Sequence, residues 1–245
     1  SPTTLLLPDL VEVRTASLNL WKGRGQLVSW SPGQFRQQVS SWATALRFHG
    51  IGPGSTVALA APTSLELVAA VIGAWRCGAA VAVLPQPDAF GTAGALRLAE
   101  GIQTVRPTVL LIGEPVPGAL PAMCRSLPLS IASAFVSAPS ASSTLSPDAL
   151  DPDAVALLQL TSGSTGRSKV VPITHAMLME NCRASCQRAE VGSQDVMVSW
   201  LPLTHDMGFS GALVHGLAAD IELTLIPTEV FARSPLCLLE AIAGL

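Results

Sequence analysis

Charge is what this sequence holds least of. Asp, Glu, Lys and Arg make up 13% of its 245 residues, against 49% hydrophobic ones. With a formal net charge of −3 and no basic run, it lacks the electrostatic footprint of a nucleic-acid binder or of a protein held to an anionic membrane. Disulfide-like spacing is missing too: the five cysteines, Cys77, Cys124, Cys182, Cys186 and Cys237, are odd in number and irregularly placed. Residues 1–20 lack the basic start and long apolar core of a secretion signal. A reduced, cytoplasmic setting is the resulting expectation. A membrane-spanning helix needs about 20 apolar residues nearly free of charge. The most apolar stretch, Leu65–Leu84, carries Glu66, Arg76 and Gly78, and reads instead as a helix ending before a buried strand.

Three common nucleotide or nucleophile motifs fail on spacing in the one region dense in chemistry. Residues 160–175 read Leu-Thr-Ser-Gly-Ser-Thr-Gly-Arg-Ser-Lys-Val-Val-Pro-Ile-Thr-His. Counted from Gly163, a Walker loop would put glycine where Ser168 stands and a hydroxyl where Val170 stands. A nucleophile elbow centred on Ser164 would need glycine at Ser162, and the dinucleotide pattern of three spaced glycines is absent here. What remains between Thr161 and Lys169 is a set of hydroxyls, two glycines and an ammonium, after the apolar run Ala154–Leu160. Glycines let the backbone turn and approach a ligand closely. Turn N–H groups then form a concave anion site that hydroxyls and a lysine complete. The residues predict a loop that holds nucleotide phosphates; an ordinary Ser/Gly surface loop is the alternative.

Around this loop the chain reads as α/β, with parallel-rich sheets flanked by helices. Ser31 followed by Pro32 starts a helix well, and Phe35, Val39, Trp42 and Leu46 have helical spacing. Thr56–Ala61 predicts a buried strand, and Thr63 or Ser64 caps a helix running through Cys77. Val81–Leu84 follows as a strand, Ala89–Val105 as a helix and Thr108–Ile112 as a strand. This alternation predicts right-handed crossovers and a parallel sheet. Residues 113–152 form a Pro/Ser/Ala-rich connection with a short strand expected near Ile131–Val136, and close a first subdomain over 1–150. The second segment, 151–245, holds a strand at Ala154–Leu160, the loop, and a short strand at Lys169–Pro172. Thr174 caps a helix with body Ala176–Ala189. A strand at Asp195–Leu201, a helix at Met207–Ala218, a strand at Glu222–Ile226 and a helical Phe231–Leu245 complete it. Cys182 and Cys186 share a face of the first of these helices with His175 two turns earlier. A structural soft-metal site needs four ligands, so they read as packed thiols.

A second constellation stands at another strand end, Ser199-Trp-Leu-Pro-Leu-Thr-His-Asp-Met-Gly-Phe-Ser-Gly211. Ligands of open α/β sheets gather outside the carboxyl ends of strands, and the loop at 161–169 follows such an end as well. His205 is suited to contact an anionic substrate, or is a satisfied structural residue. Asp206 is suited to cap the following helix. A His-Asp metal hydrolase would need further ligands, and none lies nearby in sequence.

Together the two segments resemble the adenylate-forming superfamily of acyl-CoA synthetases, luciferases and peptide-synthetase adenylation domains, in its N-terminal part. Thr161-Ser162-Gly163-Ser164-Thr165-Gly166-Arg167-Ser168-Lys169 resembles its phosphate motif, usually Thr-Ser-Gly-Ser-Thr-Gly-x-Pro-Lys-Gly. Ser168 replaces the usual proline and Val170 the usual glycine. Trp200–Gly208 is similar to a segment of fatty acyl-AMP ligases and related loading domains of polyketide and peptide synthases, which often carry an aromatic residue where Thr204 stands. The resemblance covers essentially the whole chain.

It implies an enzyme that joins a carboxylic acid to ATP, releases pyrophosphate and leaves an acyl-adenylate for a carrier-protein thiol. An acyl-CoA synthetase passing the acyl group to CoA, and an inactive nucleotide-binding or interaction module, are the alternatives. By the resemblance, Thr161, Ser162, Gly163, Ser164, Thr165, Gly166 and Lys169 hold phosphates. His205 lies beside the carboxylate or α-phosphate as a catalytic group with Lys169. Met207, Gly208 and Phe209 sit near the acyl entrance, where helix packing is the competing explanation for Met207 and Phe209. The family's adenine segment with its magnesium-binding glutamate, its ribose-gripping aspartate and its small C-terminal domain with a lysine have no counterpart here. The expectation is therefore a piece of a larger synthetase that works with a C-terminal remainder. Its magnesium ligand is expected outside this chain, and the isolated piece is expected to turn over little or nothing.

Overall fold

The computed structural model describes residues 6–86, 92–113, 129–130, 150–162 and 168–244. Among these residues the frame is a six-stranded sheet in the order β6 (Leu129–Ser130), β5 (Val109–Ile112), β3 (Thr56–Ala60), β4 (Ala80–Val83), β7 (Val155–Ser162), β8 (Ser168–Thr174), and a four-stranded sheet in the order β2 (Leu27–Trp30), β1 (Leu18–Trp21), β10 (Glu222–Leu225), β9 (Val196–Ser199). In the larger sheet β3 (Thr56–Ala60), β4 (Ala80–Val83) and β5 (Val109–Ile112) are short apolar runs, buried along nearly their whole length. Strands covered on both faces lose the polar/apolar alternation of a half-exposed sheet. Ala58, Ala60, Ala82, Leu110 and Ile112 meet Leu98, Ile102 and Val105 of α4 (Thr92–Val105) on one face. On the other, Val57, Leu59, Val81, Val83, Val109 and Leu111 enter the main core. The two-residue β6 (Leu129–Ser130) pairs parallel with β5.

That main core lies between the sheets. It also contains Leu18 and Leu20 of β1 (Leu18–Trp21) and Leu223 and Leu225 of β10 (Glu222–Leu225). Helix α3 (Leu65–Arg76) is buried at Leu65 and from Leu67 through Trp75, because sheets cover it on both sides. It packs on α2 (Pro32–Phe48) so closely that a Cβ on Gly73 would sit 2.7 Å from the Trp42 Cβ. The start of α2 is as expected: the Ser31 hydroxyl accepts from the Gln34 N–H while the Gln34 side chain accepts from the Ser31 N–H. Ser64 likewise caps α3, and Thr174 caps α5 (His175–Arg188).

Each sheet combines strands from before residue 113 with strands from after residue 152. β1 pairs parallel with β10 and antiparallel with β2 (Leu27–Trp30), and β10 pairs parallel with β9 (Val196–Ser199). β7 (Val155–Ser162) enters the larger sheet beside β4, then turns back as an antiparallel hairpin with β8 (Ser168–Thr174). The expected short strand at 169–172 is thus longer, because a whole ladder pairs it to β7. Helix α1 (Leu7–Val13), β1 and β2 are elements beyond those expected. The expected strand near 131–136 and the start of α4 at Ala89 lie outside the described residues. The expected helix at 231–245 is instead two, α7 (Thr228–Arg233) and α8 (Cys237–Ala243). They part at Pro235, whose nitrogen has no proton for the helical ladder.

Candidate active site: a hairpin neck and a His-Asp turn

The β7/β8 ladder runs without a break from Leu157↔Ile173 to Ser162↔Ser168, with Thr161 facing Lys169 across it. Thr161 and Lys169 are exposed, at the neck of the segment 163–167. Gly163, Ser164, Thr165, Gly166 and Arg167 lie outside the described residues, as do the side chains of Ser162 and Ser168. The neck therefore brings the hydroxyl of the motif's first residue and the ammonium of its last to the same end of one hairpin. That juxtaposition follows from the pairing register alone.

The second constellation begins where β9 ends. The chain reverses over Leu201–Thr204, with the His205 N–H donating to the Pro202 carbonyl at 3.1 Å. It then enters a helical run, α6, made of Asp206–Gly208, a π-helical segment Phe209–Val214 and His215–Ala218. The helix starts one residue earlier than expected. His205, rather than Asp206, stands at the cap, its Nδ1 3.3 Å from the Met207 N–H. Asp206 shares the task, because its Oδ1 accepts from the same N–H at 2.8 Å. The Nδ1 of His205 also lies 2.6 Å from Asp206 Oδ1. Bare Nδ1 accepts from Met207; a proton there would make the contact with Asp206 the hydrogen bond. Both side chains are well exposed, 63% and 65%, so the pair faces outward from the turn.

The three residues after the pair divide sharply. Met207 is exposed. Gly208 is buried, and a Cβ there would lie 2.2 Å from the Pro202 carbonyl oxygen and 2.8 Å from its carbon. No side chain fits, so the tightness of the reversal dictates glycine at 208. Phe209 is fully buried, its ring edge-on to Trp75 at 6.0 Å, and Trp75 in turn meets His175 edge-on at 5.6 Å. Trp75 also donates its indole N–H to the Ala156 carbonyl on β7 at 2.7 Å. Phe209 is thus a core residue joining the helix behind His205 to the strand behind the hairpin.

Gln159 makes the most direct link between the two halves. It is buried on β7, and its amide donates to the Thr204 carbonyl at 3.0 Å and the Leu160 carbonyl at 3.1 Å. The sequence offered one sign of it: a lone polar residue inside the apolar run Ala154–Leu160. Elsewhere, Trp200 stacks on Phe231 at 3.9 Å with rings 8° from parallel, and its carbonyl accepts from Thr228. These contacts hold the residue that leads into the turn.

His175 and the α5 cysteines stand apart from the exposed pair. Burial lowers the His175 pKa to about 4, with Asp9 pulling the other way. Burial pushes the Cys182 thiol up to about 12, with Cys186 adding to the shift. Among the described residues no three His, Cys, Asp or Glu side chains converge where a metal could sit, and no helix is long and apolar enough to cross a membrane.

An α/β frame with a hydroxyl-rich hairpin neck and a His-Asp turn held against it is the N-terminal core of adenylate-forming enzymes. One of the fatty acyl-adenylate ligases studied from E. coli and L. pneumophila superposes with a TM-score of 0.85 at 28% identity, over 98% of this chain and 44% of its own. McyG A-PCP complexed with phenylalanyl-adenylate has the same fold, with a TM-score of 0.87 at 20% identity over 99% of this chain and 39% of its own. The chain belongs to the AMP-binding enzyme family, whose pattern matches residues 13–244. A long-chain-fatty-acid–AMP ligase of Mycolicibacterium smegmatis is 31% identical over 188 residues, 75% of this chain and 29% of its own. The Mycobacterium tuberculosis protein Rv1013, whose name specifies no more than a ligase, is 31% identical over 231 residues, 91% of this chain and 41% of its own. The chain thus spans less than half the length of these curated relatives.

Proposed function

We propose that this chain is part of an ATP-dependent enzyme that converts a fatty acid into its acyl-adenylate and then loads the acyl group onto a carrier-protein thiol. The observation that best supports the reading is the bond from Gln159 to Thr204, which ties the strand before the hairpin neck to the turn before His205. In the first step a carboxylate oxygen forms a bond to the α-phosphorus of ATP as the bond to pyrophosphate breaks. In the second, the thiolate bonds to the acyl carbon and AMP leaves. Such chemistry depends on positioning and on stabilising charge. Lys169, with the hydroxyls and amides of Thr161, Ser162, Gly163, Ser164, Thr165 and Gly166, is assigned to the β- and γ-phosphates. His205 is assigned to the carboxylate and α-phosphate, with Met207 beside the acyl entrance. Gly208 and Phe209 contribute to that entrance by shaping the turn and anchoring its helix.

The magnesium that accompanies ATP is assigned no ligands here, because the described residues offer no set that fits, and no step is routed through it. The adenine and ribose contacts, and the choice of fatty acid, are assigned to the remainder of the protein. The formation of an acyl-adenylate is favoured by the fatty-acid–AMP ligase among the relatives. The carrier-protein acceptor is favoured by a medium-chain-fatty-acid–[acyl-carrier-protein] ligase of Teredinibacter turnerae, 39% identical over 84 residues, 34% of this chain. Incubating the whole protein with ATP, a fatty acid and either a phosphopantetheinylated carrier protein or CoA tests this, with products read by mass spectrometry. Acyl-carrier protein is the expected product. Acyl-CoA alone would make it an acyl-CoA synthetase, and no acylated product would leave an inactive nucleotide-binding module.

A further inference from the structure

Gln159 is the one polar side chain in the Ala154–Leu160 run, and the fold buries it. Both atoms facing its amide nitrogen are carbonyl oxygens, those of Leu160 and Thr204. Only an NH2 group can serve two such acceptors, so the amide orientation is set by its partners. A buried donor stripped of its acceptors costs far more than the bonds return. The arrangement with the Thr204 carbonyl on Gln159 is therefore strongly preferred over any in which the turn lifts away. Two residues further along β7 stands Thr161, facing Lys169. One residue beyond Thr204 stands His205. A single amide thus spans two segments separated by 45 positions, each one or two residues short of a group assigned to the reaction.

We propose that Gln159 is a positioning residue for adenylate formation: it clamps the turn before His205 to the strand that feeds the phosphate loop. The catalytic half of this proposal rests on the reading of the site as an acyl-adenylate centre. Gln159 touches no reacting atom. In-line attack requires the groups on the carboxylate and those on the departing pyrophosphate to keep one relative geometry. The rest of the turn is held through Trp200, packed on Phe231, and through Gly208, close to Pro202, and among the described residues Gln159 supplies the side-chain bond to the Thr204 carbonyl.

The test uses the whole protein with Gln159→Leu, which keeps the bulk and removes the donor, and Gln159→Glu. In Gln159→Leu, backbone hydrogen exchange over residues 201–207 is expected to rise roughly five- to tenfold, the weight of one net hydrogen bond, with α3 unchanged. Fatty-acid-dependent acyl-adenylate formation is expected to fall about 10- to 100-fold in kcat, with the KM for ATP unchanged. The Gln159→Glu enzyme supplies a signature that general destabilisation does not produce. An ionised carboxylate repels the Thr204 carbonyl, whereas a protonated one donates an O–H to it. Its activity relative to wild type is therefore expected to climb as pH falls, while the Gln159→Leu ratio stays flat. This pH profile remains readable if the leucine variant folds poorly. Unchanged exchange over 201–207, unchanged kcat in Gln159→Leu, or a flat ratio in Gln159→Glu would each overturn the positioning role. A wild-type protein that makes no acyl-adenylate while the exchange still responds would overturn the reading of the reaction and leave the clamp standing.

Discussion

Ladder pairing sets the register at the neck of the segment 163–167, with Leu160 and Val170 packed beside α4, whereas the His205 turn depends on a few particular residues. Along β7 and β8 the register is carried by ladder hydrogen bonds, and Thr161, Lys169 and Val171 are exposed. At the turn, Gly208 clears the Pro202 carbonyl, Phe209 fills a slot beside Trp75, and Gln159 holds Thr204. Ladder hydrogen bonds are made by the backbone, so the exposed side chains at its end, Thr161 and Lys169, are free to serve a ligand. A packed reversal commits nearly every residue to the fold, and leaves only its outward-facing members, His205, Asp206 and Met207, free for chemistry. Substitutions should therefore separate stability from activity at the hairpin and join them at the turn.

The largest effect on stability is expected from Phe209→Ala. Truncating a fully buried aromatic leaves a cavity and costs about 3–5 kcal/mol, readable as a lowered midpoint in urea unfolding. Gly208→Ala comes next. Its new Cβ meets backbone rather than a flexible side chain, so the turn must open at a cost of about 3 kcal/mol, and adenylation falls with stability. A loss under about 0.5 kcal/mol for either variant, the level of an ordinary surface change, would erase the contrast between the two regions.

The third prediction concerns the core between them. His175 titrates near pH 4 in the fold because of burial, against 6.5 for an ordinary histidine. The folded state thus binds its proton less readily than the unfolded one. Its contribution is fully present above about pH 6.5 and is lost as pH falls toward 4, up to about 3 kcal/mol. His175→Phe is expected to flatten the decline in urea midpoint between pH 6.5 and 5, where few carboxyls titrate. An unaltered slope would remove His175 as its source. The smallest stability effect is expected at the hairpin: Lys169→Ala should move the midpoint by less than about 0.5 kcal/mol while abolishing most activity.

Much of this arrangement was legible in the sequence. Caps at Ser31, at Thr63 or Ser64, and at Thr174, together with short apolar runs, mark α2, α3, α5 and the central strands, because those signals are local. The pairing of β1 with β10 joins residues about two hundred positions apart, and no local pattern records a partner so distant. Residues 18–21 are a four-residue strand completed by that distant partner, and residues 27–30 pair back on it as its antiparallel neighbour. The loop motif and the His205 segment were readable as chemistry, because hydroxyls, glycines and a His-Asp pair are unusual in so apolar a chain. The fixed roles of Gly208 and Phe209 were not readable, since they follow from a backbone approach and an aromatic contact made only in three dimensions. Gln159 was visible only as an anomaly in its strand. Its meaning required the Thr204 carbonyl to be seen opposite it.

The most direct test of the acyl-adenylate site is fatty-acid-dependent ATP–pyrophosphate exchange by the whole protein, wild type against Lys169→Ala, with unfolding midpoints measured in parallel. Exchange in the wild type, reduced about 100-fold or more in Lys169→Ala at an unchanged midpoint, is the predicted result. Exchange that survives the substitution, or a wild type with none, would contradict it.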